Sequence, residues 1–310
     1  MEMPAAASYS MTELRFSIII PTLGERQPLT QCLTAMAALD FPANAFELFV
    51  VDDGCAPPLD ELVEPFRSRL YLTLLRQAHA GPAAARNFGA SQARGSYLVF
   101  TDDDCRPARD WLRTLDARLT NDPDCAMGGC VVNALDENLY SVAGDLLVRY
   151  LYQQYNANPD QARLLISSNV AFPAARFHAI GGFDVSFRRA AAEDRDLCGR
   201  WLEHGFRMIY APEVVVYHRH ALQPASFWRK HFNYGRGSYH YHQLHRALGL
   251  EPLSFYWNLL WIPLRGGRMP HSLRLCLVLV ISQLANASGF AWAGLRQWTQ
   301  RGVHADDTAD

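Results

Sequence analysis

Four short apolar runs alternate with helical stretches between Phe16 and Asp104, and this alternation constrains the fold more than any other feature of the chain. Phe16 to Ile20 is rich in β-branched residues and stopped by Pro21, as expected of a buried parallel strand. A helical stretch from about Pro28 to Leu39 leads into a second run, Phe46 to Val51, which ends abruptly in Asp52-Asp53-Gly54. A helix near Leu59 to Arg69, a strand Tyr71 to Leu75, a helix Pro82 to Arg94 closed by Gly95, and a strand Tyr97 to Thr101 continue the series. The last strand runs into Asp102-Asp103-Asp104. Such alternation predicts a mainly parallel sheet flanked by helices, in which ligands bind at the carboxyl ends of the strands. Both acidic turns fall at that edge.

Beyond a helix at Trp111 to Leu119 the rhythm loosens. The pattern predicts a strand around Ala126 to Val132, a helix near Tyr140 to Tyr155 and a strand Leu165 to Phe172. An acidic helix beginning near Ala192 follows a Gly-Gly turn, and strands are expected at Met208 to Tyr210 and Val214 to Tyr217. From Pro224 the composition shifts to aromatics, His and Arg, then to two apolar stretches, Leu253 to Leu264 and Leu275 to Leu295. The second approaches a bilayer span in length, but polar residues interrupt it and arginines flank it. An interfacial helix fits it better than a spanning one, and a helix packed on the rest of the protein fits equally well.

Composition narrows the function. A net charge of -2 leaves no excess of cations to neutralise a phosphate backbone, so nucleic acid is excluded as a partner. The seven cysteines are scattered without zinc-site spacing and read as reduced thiols of a cytoplasmic protein. Met1 to Ser10 lacks the basic start and apolar core of a signal peptide.

Several residue groups could carry chemistry. Three consecutive carboxylates, Asp102, Asp103 and Asp104, repel one another unless a cation compensates them, and Mg²⁺ or Mn²⁺ shared with a nucleotide diphosphate would do so. The plainer alternative is a solvated turn capping the next helix. Asp53 could accept from a base or ribose, or simply form an Asp-Gly turn. Arg86, early in a helix after His79-Ala80-Gly81-Pro82, could meet a phosphate or a nucleobase, or be a surface charge. Glu193 and Asp194 fall in a first helical turn, where one could act as general base or both as capping charges. His218 ends a strand, as a candidate metal ligand or diphosphate contact.

These residues match a family in order. Ser17-Ile18-Ile19-Ile20-Pro21-Thr22, Val50-Val51-Asp52-Asp53-Gly54, Gly81-Pro82-Ala83-Ala84-Ala85-Arg86-Asn87 and Phe100-Thr101-Asp102-Asp103-Asp104 come first. Gly181-Gly182-Phe183-Asp184, Glu193-Asp194-Arg195-Asp196-Leu197 and Tyr217-His218 follow. Over roughly residues 16 to 220 the chain resembles the family 2 glycosyltransferases of the GT-A-type, Rossmann-like α/β fold. The resemblance implies a nucleotide pocket of Thr22, Asp53 and Arg86 around the base, with Asp103 at the ribose and Asp104 on a divalent Mn²⁺ or Mg²⁺, and Asp102 is a candidate both for the nucleotide and as a second metal ligand. It implies Asp194, with Glu193 beside it, as catalytic base of an inverting displacement, and His218 as a further metal ligand. Leu23 stands where relatives carry an aromatic, and the Gln-x-x-Arg-Trp motif of processive synthases is missing, since Trp201 follows Cys198-Gly199-Arg200.

The expected activity is transfer of one sugar from a UDP, GDP or dTDP sugar to a carbohydrate or lipid-linked acceptor, in glycan or glycoconjugate biosynthesis. The expected location is cytoplasmic, with the inner membrane face as a candidate surface. A nucleotidyltransferase and a non-catalytic carbohydrate-binding or scaffold relative are the alternatives. The expected divisions are a tail over 1–14, a catalytic domain over 15–222 split at 104/105 into nucleotide-binding and acceptor halves, and a helical, apolar region over 223–310.

Overall fold

All seven residues of strand β1 (Phe16–Thr22) and of strand β2 (Phe46–Asp52) are buried, which places the two in the middle of the sheet with both faces covered. Along β1 the side chains alternate. Ile18 and Ile20 enter a core with Leu29, Leu33 and Trp111, while Ile19 enters the opposite core with Phe100, Phe172 and Trp201. The computed structural model describes residues 14–189, 191–245, 249–265 and 271–306. All but Leu14 of the expected N-terminal tail lies outside them.

Helix α1 (Arg26–Met36) joins β1 to β2, and α2 (Asp60–Val63) precedes β3 (Leu72–Arg76). Next come α3 (Pro82–Gln92), β4 (Tyr97–Phe100), β5 (Cys105–Pro107) and α4 (Trp111–Asn121). Strand β6 (Ala126–Asn133), α5 (Leu139–Tyr155), β7 (Val170–Pro173), α6 (Ala174–Ala179), α7 (Glu193–Glu203) and β8 (Met208–His218) complete the α/β part. The eight strands form one sheet in the order β3-β2-β1-β4-β7-β6-β8-β5. Strands β3, β2, β1 and β4 are parallel, β7 is antiparallel to both neighbours, β6 and β8 are parallel, and β5 is antiparallel to β8.

Four details differ from the sequence reading. The helix expected to Arg69 stops at Val63, and a short 3-10 turn, Glu64–Phe66, containing Pro65, takes its place. The strand expected from Leu165 begins only at Val170. Residues 208–218 form one strand rather than two, and β5 and α6 were not anticipated.

After β8 the chain is helical: α8 (Pro224–Leu244), α9 (Leu253–Leu260), α10 (Ile262–Arg265) and α11 (Ser272–Asp306). Leu275, Val278 and Leu279 of α11 pack with Phe227 of α8 and with Ala143 and Leu146 of α5. Two glycines allow α8 and α11 to touch backbone to backbone. A Cβ on Gly235 would stand 1.8 Å from the Asn286 carbonyl oxygen, and one on Gly289 would stand 1.9 Å from that of Phe232. Neither position admits a side chain.

Candidate active site at the ends of strands β1 and β4

Beyond β4 the three carboxylates of the acidic run point to three different partners. Thr101 anchors the start of the turn by donating its hydroxyl to the Ser168 carbonyl at 2.9 Å. Asp102 accepts from Arg86 Nη2 at 2.8 Å, and Asp103 accepts from the Thr22 hydroxyl at 2.5 Å. Asp104 is met by His218 Nε2 at 3.1 Å and His220 Nδ1 at 2.7 Å. Antiparallel pairing of Cys105 with His218 sets that meeting, since it brings the end of β8 beside the acidic turn.

The environments push two of these acids apart. Burial raises Asp103 to about 7, with the charges of Asp104 and Asp102 adding to it and the Thr22 hydrogen bond opposing. Burial acts the same way on Asp104, but hydrogen bonds and charge from His218 and His220 outweigh it and hold the carboxyl well below the usual range. Ligand atoms of Asp104, Cys105 and His218 all lie within 4.8 Å of one another. The Cys105 thiol is raised well above its usual value, by burial first and then by Asp104 and Asp102, so it stays protonated and ligates poorly. Asp102, also expected on the metal, is instead paired with Arg86 and stands outside this group. One carboxylate and one imidazole remain, a set that fits a divalent cation completing its shell with phosphate and water.

Helix α7 begins beside the same acidic turn, joined to it by Arg86, which bridges Asp102 and Glu193. Ala192, just before it, adopts a left-handed φ of 70°. Glu193 is buried and its carboxylate is fully engaged, with Oε1 accepting from Arg86 Nη1 at 3.2 Å and Oε2 from the Ala191 N–H at 2.6 Å. Asp194 differs: its Oδ1 is buried and, among the described residues, has no hydrogen-bond partner. Burial, reinforced by the Glu193 charge, raises Asp194 to about 7, against the opposing effects of Arg86 and of hydrogen bonds from Ser167. A buried carboxylate with one free oxygen and a pKa near neutrality has the attributes of a general base.

Arg86 lies at the centre of this constellation. It is buried, and its two terminal nitrogens serve Asp102 and Glu193, so the guanidinium binds two carboxylates of the protein. Asp53 is likewise occupied, accepting from Gln77 Nε2 at 2.8 Å, His79 Nδ1 at 2.9 Å and the N–H groups of Ala80 at 2.8 Å and Gly81 at 2.9 Å. It thereby folds the loop ahead of α3. Its own N–H donates to the Thr22 carbonyl at 3.0 Å, which ties this turn to the end of β1, and the Thr22 hydroxyl in turn reaches Asp103. Thr22, Arg86, Asp102, Asp103, Asp104, Glu193, Asp194 and His218 thus converge on one edge, with Asp53 beside them.

Three contributors escaped sequence reasoning: Ser167, His220 and Lys230. Lys230, on α8, is the chain's single lysine among 29 basic residues. Burial acts to lower its pKa, but Tyr234 and the charges of Asp104 and Asp102 outweigh burial and raise it, so the ammonium stays charged. Its uniqueness was the available signal. The spacing carried none, since Lys230 lies far along the chain from Asp104.

Comparison with known proteins agrees with the fold. The chain is 30% identical over 220 residues to the pre-mycofactocin glycosyltransferase of Mycobacterium tuberculosis, covering 67% of this chain and 43% of that protein. It therefore spans less than half the length of that relative. It is 26% identical to the glycosyltransferase AglE of Haloferax volcanii, covering 71% of this chain and 72% of AglE. The mannosyltransferase PcManGT of Pyrobaculum calidifontis, solved with GDP-Man and Mn²⁺, superposes with a TM-score of 0.63 at 19% identity, covering 92% of this chain and 90% of its own. S. aureus TarS 1-349, solved with UDP-GlcNAc, gives 0.54 at 15% identity, covering 93% and 92%. Both share the GT-A architecture. The family model described as Glycosyl transferase family 2 matches residues 17–179, more than half the chain, and the chain belongs to that family.

Proposed function

We propose that the chain transfers a single sugar from a nucleotide-diphosphate sugar to an acceptor hydroxyl, inverting the anomeric configuration, with Asp194 as the general base. The unpartnered buried oxygen of Asp194 is the observation that carries this reading. The acceptor oxygen bonds to the anomeric carbon as the bond from that carbon to the phosphate oxygen breaks. The acceptor proton goes to Asp194, and the electron pair leaves with the nucleoside diphosphate. Attack from the side opposite the leaving group inverts the centre. Glu193 positions this base: held by Arg86 and Ala191, it fixes the first turn of α7 and raises the proton affinity of its neighbour.

Thr22, Asp53 and Asp103 line the nucleotide side, and Arg86 with Asp102 holds the acidic turn in shape. Asp104 and His218 would hold the divalent cation, which when bound supplies positive charge to the departing diphosphate. The imidazole in this donor set suits Mn²⁺ better than Mg²⁺. Lys230, whose ammonium is coupled electrostatically to Asp104 and Asp102, would add a second positive charge toward the leaving group. The solved neighbours carry GDP and UDP donors, so both nucleotides are candidates here, with a carbohydrate or lipid-linked acceptor in glycan assembly. Lack of the Gln-x-x-Arg-Trp motif supports one transfer per encounter.

Calorimetric titration with UDP, GDP and dTDP, each with and without Mn²⁺, on the native chain and on Asp104→Ala, tests the site. Binding of one nucleotide that requires metal and vanishes in the variant is expected. Equal binding with and without metal in both proteins would overturn the metal assignment.

A further inference from the structure

Helix α11 has two faces with opposite environments. Leu275, Val278, Leu279, Ser282 and Ala285 are buried, and the same side continues through Gly289 to Gln297, whose Oε1 accepts from Tyr239 of α8 at 2.5 Å. The other side leaves Leu277, Leu284, Leu295 and Trp298 at 61%, 57%, 66% and 75% exposure. Their spacing keeps them along one stripe of the helix. Trp257 of α9 and Trp261, between α9 and α10, extend the exposed apolar surface. Indole rings prefer the boundary between hydrocarbon and water.

Charge decides what covers this face. Residues 252–305 hold five arginines and no lysine, aspartate or glutamate, within a chain of net charge -2. Arg274 and Arg296 are both exposed. A second copy of the chain would bring these arginines against arginines, with carboxylates only at the ends of the segment, at Glu251 and Asp306, whereas an anionic lipid surface compensates them along its length. By composition α11 is long and apolar enough to cross a bilayer. Its attachment to α8 and α5 along one side opposes crossing, because α8 carries Arg236 and Asn233, both partly exposed, that would enter the hydrocarbon with it.

We propose that the α9–α11 face docks the protein on an anionic bilayer surface, with α11 lying in the plane of the interface. This concerns where the protein works and is independent of the reading of its chemistry. Co-sedimentation with vesicles of phosphatidylcholine, alone or mixed with phosphatidylglycerol, tests it. The full chain is expected to pellet with the mixed vesicles about tenfold more than with the neutral ones. The double variant Leu277→Glu, Leu295→Glu, altered only at exposed positions, should lose about tenfold of that binding while keeping its melting temperature and nucleotide affinity. Equal pelleting of the double variant, or none by the native chain, would overturn the proposal. So would a native dimer in sedimentation velocity that the double variant abolishes, which would assign the face to self-association. Retention in vesicles through alkaline carbonate would assign it to a spanning helix.

Discussion

Arg86 Nη1 lies 3.2 Å from Glu193 Oε1, a buried ion pair between residues 107 positions apart that fixes the first turn of α7 against the acidic turn after β4. Removing one member of such a pair strands the other charge in the interior. Arg86→Ala leaves both Glu193 and Asp102 uncompensated and is expected to destabilise the protein by about 3–5 kcal/mol, measured by denaturant unfolding. If the chain unfolds outright, Arg86→Lys is the informative variant: one ammonium cannot serve both carboxylates as the fork does, and an intermediate loss is expected.

Asp194→Asn should separate chemistry from binding. Loss of a general base typically lowers kcat by about 10²–10⁴-fold, with the nucleotide affinity unchanged. The same variant should be the more stable protein at alkaline pH. The folded pKa of Asp194, about 7, lies above its usual value of 3.8, so its contribution to stability is fully present below the usual value and is lost as pH rises through about 7. Thermal unfolding at acid and alkaline pH should show native stability declining across that window and the variant declining less.

The pH profile follows with the opposite sign for activity. Only ionised Asp194 accepts the proton, so kcat/KM should rise with pH through about 7 and level off above it. Because the charge of Arg86 holds this pKa down, the neutral Arg86→Gln should displace the limb to higher pH while Arg86→Lys, which keeps the charge, should displace it less, a difference that a merely structural weakening would not give.

Lys230→Met should lower kcat more than it raises the donor KM, because charge on the leaving group develops in the transition state. Lys230→Arg should restore part of the rate. Since the chain has one lysine, amine acetylation read by mass spectrometry reports on it directly, and nucleoside diphosphate should protect it.

His218→Ala should weaken Mn²⁺ at least about tenfold, as loss of one of two protein ligands implies, and activity in EDTA should return with Mn²⁺ more fully in the native chain than in the variant. Isothermal titration with the metal alone gives a readout separate from turnover.

The sequence displayed the β1, β2 and β4 strands and both acidic turns because each is a local pattern: an apolar run followed by carboxylates. Asp104 and His218 were brought together only by the family resemblance, and the second imidazole, His220, was not legible, since it reaches Asp104 only through the pairing of β5 with β8. Strand β8 was read as two because Pro212 interrupts it. Its register with β6 shifts at Gly129/Cys130, and at such an irregularity the missing N–H of proline is tolerated. Residues 165–169 looked strand-like in sequence, but Asn169 turns inward to accept from Trp111 Nε1 at 2.9 Å and to donate to the Cys130 and Val214 carbonyls at 2.9 and 2.8 Å. That use of a polar side chain in the core has no local signature.

Gly235 seats α8 on α11, and two residues later a Cβ on Gly237 would stand 2.4 Å from the Ala191 carbonyl oxygen, just ahead of the base. Helix α8 is therefore a solid strut with contact at both sides and no compressible side chain in either joint. A bilayer beneath α11 would become the reference plane from which the reach to Asp194 is measured. A lipid-linked acceptor would then be selected by the length of its spacer as well as by the shape of its sugar.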